Sequence, residues 1–228
     1  MTEGDESEHR GDPLAAFVGD GGSIPLFSLK TRCSVGELKM SGTARNVAFA
    51  PGGRELLSSG DDGVVHVWDL RMRRCLARFV DDGCVKATSV AVSPGGRHYA
   101  AGSDVGVVNL YRAADVPRAG GAAGAPAGLP AAPGAPAPAK ALMQLTTAVD
   151  TLRFSPDGQM LAMASRLERD ALRVVHTETG TVFSNWPTSK TPIGYVHSAA
   201  FSPGCGFLAV GNAKGRVLLY RLHHYTSI

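Results

Sequence analysis

A chain of 228 residues, 44% hydrophobic and 19% charged, is long and apolar enough to bury a substantial core, which excludes a wholly unfolded polypeptide. Its 28 glycines and 14 prolines punctuate short runs rich in Val, Leu, Phe and Ala, a pattern that disfavours a helical bundle and predicts an all-β chain. The formal net charge of +3 is too small to mark a dedicated nucleic-acid binder, and no window approaches the roughly eighteen apolar residues of a membrane-spanning helix.

Residues 1–22 read as an acidic, polar, disordered tail without the basic start and apolar core of a secretory signal. Two apolar runs follow, 24–29 and 35–40, which look like the last two strands of a unit whose beginning is missing. After them one phrase recurs four times: Phe49-Ala50-Pro51-Gly52-Gly53, Val92-Ser93-Pro94-Gly95-Gly96, Phe154-Ser155-Pro156-Asp157-Gly158 and Phe201-Ser202-Pro203-Gly204. Each is a turn in which Pro presets φ at the first corner and Gly accepts the positive φ that follows. The prolines stand 43, 62 and 47 residues apart, and the first and last values lie close to the period of about 40–45 typical of WD repeats.

The long middle spacing predicts an insertion. Residues 119–139 hold no charge and are almost wholly Ala, Gly and Pro, and removing them restores the period. We place a disordered insertion at 113–140, in the loop between the third and fourth strands of the second full repeat. The strands expected of the first repeat are 45–50, 55–59, 64–70 and 75–80. Those of the second are 87–93, 98–103, 107–112 and 141–147. The third repeat gives 149–155, 160–166, 172–177 and 181–186, and the fourth gives 196–202, 207–212 and 216–222.

Trp68-Asp69, closing the third strand of the first repeat, is the WD dipeptide itself. A Trp there is predicted to wedge between neighbouring units, where its burial is worth on the order of 3 kcal/mol. The corresponding pairs are Tyr111-Arg112, Val175-His176 and Tyr220-Arg221, and no Gly-His dipeptide precedes any repeat, so the WD pattern is degenerate. The predicted fold is an all-β, WD40-type β-propeller with about four and a half blades over residues 23–228, an incomplete part of a seven-bladed ring. Trp68, Asp69, Pro51, Pro94, Pro156 and Pro203 are its structural positions.

No phosphate loop, dinucleotide fingerprint, nucleophile elbow or zinc-protease motif interrupts the repeats. Cys33, Cys75, Cys84 and Cys205 form no C-x-x-C pair, which predicts neither a zinc site nor a disulfide framework and fits a reducing compartment. Adjacent His223 and His224 would point to opposite faces of a strand, poor geometry for one metal. Catalytic, metal and cofactor sites are therefore not predicted. Arg71, Arg73 and Arg74 form a basic cluster directly after the WD dipeptide and are candidates for contact with phosphates or acidic partners, although a solvated turn is the plainer reading of them.

Several strings resemble the U3 small nucleolar RNA-associated protein 18 family: Cys75-Leu76-Ala77-Arg78-Phe79-Val80-Asp81-Asp82-Gly83, Gly106-Val107-Val108-Asn109-Leu110-Tyr111, Val182-Phe183-Ser184-Asn185-Trp186-Pro187, and the ending Tyr220-Arg221-Leu222-His223-His224-Tyr225. The resemblance runs from about Gly22 onward. It implies a non-catalytic scaffold of the small-subunit processome in the nucleolus, acting in pre-ribosomal RNA processing. The implied partners are other WD-repeat proteins of a processome subcomplex, with pre-ribosomal RNA and the U3 small nucleolar RNP; neither a membrane nor a small-molecule substrate is expected. Arg221, His223, His224 and Tyr225 join Arg71, Arg73 and Arg74 as interaction candidates. Exosome recruitment, which in that family belongs to a long charged N-terminal region, is not carried over. The alternative is a generic WD adaptor in another intracellular complex such as a ubiquitin ligase.

Overall fold

The computed structural model describes residues 13–118, 136–188 and 192–222. Among the described residues eighteen strands form five antiparallel sheets, each a meander in which consecutive strands pair. The first sheet holds β1 (Leu14–Ala16), β2 (Ser23–Ser28) and β3 (Ser34–Lys39). The second holds β4 (Ala44–Phe49), β5 (Glu55–Gly60), β6 (Val64–Asp69) and β7 (Arg74–Val80). The third runs through β8 (Ala87–Val92), β9 (His98–Ser103), β10 (Val108–Arg112) and β11 (Lys140–Leu142). The fourth has β12 (Thr151–Phe154), β13 (Met160–Ala164), β14 (Leu172–His176) and β15 (Thr181–Val182). The fifth has β16 (Val196–Phe201), β17 (Phe207–Asn212) and β18 (Val217–Arg221). This is the blade arrangement of a partial propeller, as the repeat predicts.

The sheets stack face against face, and the core lies between them rather than within any one. Leu57, Val65 and Val67 of the second blade meet Val90, Tyr99 and Ala101 of the third, while Val108, Leu110 and Leu142 of the third meet Leu152, Leu161 and Val175 of the fourth. Middle strands are buried on both faces, so β5, β9 and β13 read as nearly unbroken runs of buried residues. Alternation survives on the outer strand β18, where exposed and half-buried positions succeed one another.

The four Pro turns close as expected, each with a hydrogen bond to the residue before the proline: Gly53 N–H to Ala50 O, Gly96 to Ser93, Gly158 to Ser155 and Cys205 to Ser202. Cys205 takes the last of these at φ +59, where the other three turns have glycine.

The structure departs from the sequence reading in three places. β1 lies inside the stretch 1–22 read as a disordered tail, of which 1–12 are outside the described residues, so the first blade has three described strands rather than two; Leu14 and Ala16 pack on the Ile24, Leu26 and Leu38 cluster, burial that a short apolar run does not announce. The insertion read at 113–140 contains a 3-10 turn at Ala113–Asp115 and the start of β11 at Lys140, because Val116 is buried against the second blade and Lys140 pairs with Leu110. Residues 119–135 lie outside the described residues. Finally, β11 and β15 are shorter than 141–147 and 181–186; the pairing ends at Leu142 in β11 and, after one more hydrogen bond from the Phe183 N–H to Val174 O, just beyond Val182 in β15, since outermost strands have only one partner to follow.

Candidate functional site

In the second blade the strand register places the β4–β5 and β6–β7 turns at one end and the β5–β6 turn and the connection to β8 at the other, and the remaining blades follow the same order. Trp68 lies near the first end, on β6, buried to 5% against Ile24, Leu26, Leu38 and Met40 of the neighbouring blade. Its indole also stacks on His66, with centroids 5.5 Å apart at 13°. Asp69 is half-buried, and its Oδ1 accepts the N–H groups of Arg71 at 2.8 Å and Met72 at 3.0 Å. It is a turn-former rather than a ligand. Pro51, Pro94, Pro156 and Pro203 are exposed turn tips.

The third blade replaces the tryptophan by Tyr111 and wires itself differently. The Tyr111 hydroxyl donates to Asp81 Oδ1 at 2.6 Å and accepts the Asp82 N–H at 3.0 Å, while the Asn109 amide donates to Asp81 Oδ1 at 2.9 Å and to the Asp82 carbonyl. Two side chains of β10 thus clamp the connection that joins the second blade to the third. Burial, offset in part by the hydrogen bonds from Tyr111 and Asn109, raises the Asp81 carboxyl above the usual carboxylate range. The neighbouring Cys84 thiol is pushed up to about 12 by burial and by Asp81. The sequence quoted Asp81, Asp82, Asn109 and Tyr111 in its family-like strings without disclosing that they meet.

Along the inner edge, β4, β8, β12 and β16 lie side by side and line a cavity of about 170 Å³ with Asn46, Ser89, Asp150, Arg153, His197 and Ser198. The sequence reading found no convergent acid or histidine here; the structure brings Asp150, Arg153 and His197 around one opening. Asp150 is committed to Arg166, whose backbone N–H it accepts at 3.2 Å and whose Nε lies 3.4 Å away. The cavity is smaller than the roughly 300–1,000 Å³ of typical ligand pockets. Among the described residues no group of three His, Cys, Asp or Glu is arranged to hold a metal.

The two ends of the blades differ in chemistry. Arg71 and Arg73 lie exposed in the β6–β7 connection and Arg74 lies exposed at the start of β7, with Arg73 at φ 52 and its guanidinium over Gly36 of the first blade. At the same end stand Arg54 and Arg97 in the Pro turns and Arg112 at the end of β10; the Leu70 N–H bonds to Arg54 O at 2.9 Å and the Ala113 N–H to Arg97 O at 2.8 Å. The opposite end carries Asp20, Asp61, Asp62, Asp82, Asp104 and Asp150. It also carries the exposed apolar tips Phe17, Val85 (70% exposed), Val105, Met143 (69%), Leu167 and Tyr195. Arg221 is exposed at the end of β18, whereas His223, His224 and Tyr225 lie outside the described residues.

Residues 34–69, from β3 through Trp68-Asp69, match the family model of the WD domain, G-beta repeat. The U3 small nucleolar RNA-associated protein 18 homologue of Arabidopsis thaliana is 42% identical over 212 residues, 93% of this chain and 36% of that protein. The human homologue is 39% identical over 210 residues, 92% of this chain and 35% of its own length. The resemblance to the U3 small nucleolar RNA-associated protein 18 family holds. The Saccharomyces cerevisiae member of that family is 61% identical over 90 residues, 40% of this chain and 15% of its own. The chain thus spans about a third of the length of the Arabidopsis thaliana and human homologues.

Proposed function

We propose that this chain is a non-catalytic scaffold segment acting with the U3 small nucleolar ribonucleoprotein in the small-subunit processome, in nucleolar processing of pre-ribosomal RNA. The observation that carries this reading is the similarity over 92–93% of the chain to proteins named as U3 small nucleolar RNA-associated. The blade architecture supports it: the polar axial cavity is small, and the exposed chemistry is spread over whole faces, as suits a body that holds other macromolecules. Its protein partners are other WD-repeat proteins, which the apolar tips Val85, Val105, Met143, Leu167 and Tyr195 would engage.

The test is affinity purification of the tagged chain from cells, with imaging against a nucleolar marker. Nucleolar localisation with co-purified WD-repeat subunits and U3 RNA is expected. A diffuse cytoplasmic chain recovered with ubiquitin-ligase subunits would replace this reading with that of a generic adaptor.

A further inference from the structure

The first three blades gather arginines at one end and apolar tips at the other, a division no single stretch of sequence displays. Three arginines, Arg71, Arg73 and Arg74, come from the β6–β7 turn and the first residue of β7; Arg54, Arg97 and Arg112 come from turns and strand ends up to 41 residues away in sequence. The fold makes them one surface. A Cβ added at Gly96 would come within 3.2 Å of Pro51, so the Pro turns bearing Arg97 and Arg54 are in contact. Arg118 of the third blade reaches Glu55 of the second at 2.7 Å, which neutralises one of the few acids there. Asp69 is occupied by the N–H groups of its own turn. Lys30 and Arg32, exposed in the β2–β3 turn, extend the same surface across the first blade.

We propose that this arginine face binds the phosphate backbone of RNA, leaving the opposite, apolar-tipped face to protein partners. Arginine forks match phosphate oxygens bidentately and hold their charge at any physiological pH. An acidic protein segment is the competing occupant, and the distribution of apolar side chains decides against it. Protein interfaces draw their affinity from buried apolar and aromatic anchors. On this face the exposed large apolar residues are Leu29, Phe49, Met72 and, in the fifth blade, Phe207, whereas Phe17, Val85, Val105, Met143, Leu167 and Tyr195 all lie at the other end. The scarcity of exposed aromatic rings also leaves the face few platforms on which bases could stack, which favours contact with the backbone.

The proposal rests on the scaffold reading for the RNA it meets in the cell, but its test uses the purified chain. Loss of RNA binding would leave co-purification with WD-repeat proteins intact, so the two failures are distinguishable. Binding of a labelled mixed-sequence RNA duplex of about 20 base pairs is followed by fluorescence anisotropy. With about four phosphate contacts, affinity should fall on the order of a hundredfold between 50 and 200 mM salt. The triple substitutions Arg71→Gln, Arg73→Gln, Arg74→Gln and Arg54→Gln, Arg97→Gln, Arg112→Gln should each weaken binding about tenfold or more and flatten the salt slope. Substituting Lys86, Arg169 and Lys214, on the opposite end, by Gln should leave affinity within about twofold. Circular dichroism melts establish that each variant is folded, and photo-crosslinking of thiouridine RNA to the unaltered chain, mapped by mass spectrometry, locates the contact without any substitution. Crosslinks in residues 69–74 and 95–113 support the proposal. No binding at 50 mM salt, crosslinks confined to the opposite end, equal losses in the control variant, or tighter binding to polyglutamate than to RNA would each overturn it.

Discussion

The indole Nε1–H of Trp68 donates to the Ser58 hydroxyl across 2.8 Å, and that hydroxyl in turn faces the thioether of Met40 at 3.5 Å. A side chain of β6 is thereby joined through β5 to the connection that follows β3, locking two blades together with one buried chain of contacts.

Trp68→Ala is expected to destabilise the protein by about 3–5 kcal/mol, because it opens a cavity between blades and leaves Ser58 with a weak partner. Trp68→Phe keeps most of the packing and should cost less. Chemical denaturation of the chain without any partner measures both. An alanine variant that melts like the parent but loses partner binding would make Trp68 a contact residue instead.

Asp81 makes the equivalent link for the third blade, and its variants separate hydrogen bonding from charge. Asp81→Ala strands the buried Tyr111 hydroxyl and Asn109 amide and should cost roughly 1–3 kcal/mol. Asp81→Asn retains an acceptor oxygen and removes a carboxylate that burial disfavours, so its stability at neutral pH should lie much closer to the parent. Equal losses in the two variants, measured by denaturant midpoint, would show that the charge itself is needed.

The Pro-Gly turns, the blade order and the Trp68-Asp69 pair were legible in the sequence because each is local: a few adjacent residues specify the turn or the strand. What was not legible depends on partners distant in the chain. Leu14–Ala16 is a strand only because β2 offers a ladder edge and the Ile24 cluster offers burial. Tyr111 and Asp81 are 30 residues apart, and their meeting follows from blade stacking, not from spacing. The arginine face escaped for the same reason, since Arg71, Arg73 and Arg74 alone look like an ordinary solvated turn.

His66 gives the protein an acid-labile element. It is buried, stacked on Trp68, and its Nδ1 has no hydrogen-bond partner among the described residues. Burial lowers its pKa below the ordinary 6.5, with Asp62 opposing and Arg78 assisting. The folded state therefore prefers the neutral ring: this contribution is fully present above pH 6.5 and is lost as pH falls through the folded-state value. Melting temperature should drop as pH is taken from 7 toward about 5, and His66→Phe should remove part of that drop. An unchanged pH profile in the variant would assign the acid sensitivity elsewhere.

The Ala/Gly/Pro stretch 119–135 lies between the third blade's Arg118 and β11, and Leu142 of that strand and Leu145 just after it lie in the buried cluster. Replacing it by a short Gly/Ser linker should shift stability by no more than about 0.5 kcal/mol, because loop-closure entropy changes only slowly with length. Thermal melts of the two chains make the comparison, and a marked loss would show that the stretch contributes burial.

The fifth blade carries the last prediction. β18 pairs with β17 on one side and, among the described residues, with no strand on the other. Val217 at 74% exposure and Leu219 at 66% project from one face of β18, and the free side of the strand beside them offers unpaired backbone groups to any extended chain. The purified chain should therefore self-associate through this edge. Because the contact combines ladder hydrogen bonds with apolar burial, it should persist at raised salt, unlike phosphate binding, which weakens steeply. Val217→Lys with Leu219→Lys places two charges on the edge at positions where neither side chain is buried, so folding stability should change by less than about 0.5 kcal/mol. Analytical ultracentrifugation over a concentration and salt series should show the parent shifting to larger species and the double variant remaining monomeric. If the variant associates as strongly as the parent, the edge is not the route; if association of the parent vanishes at high salt, charge rather than the β18 ladder holds the copies together.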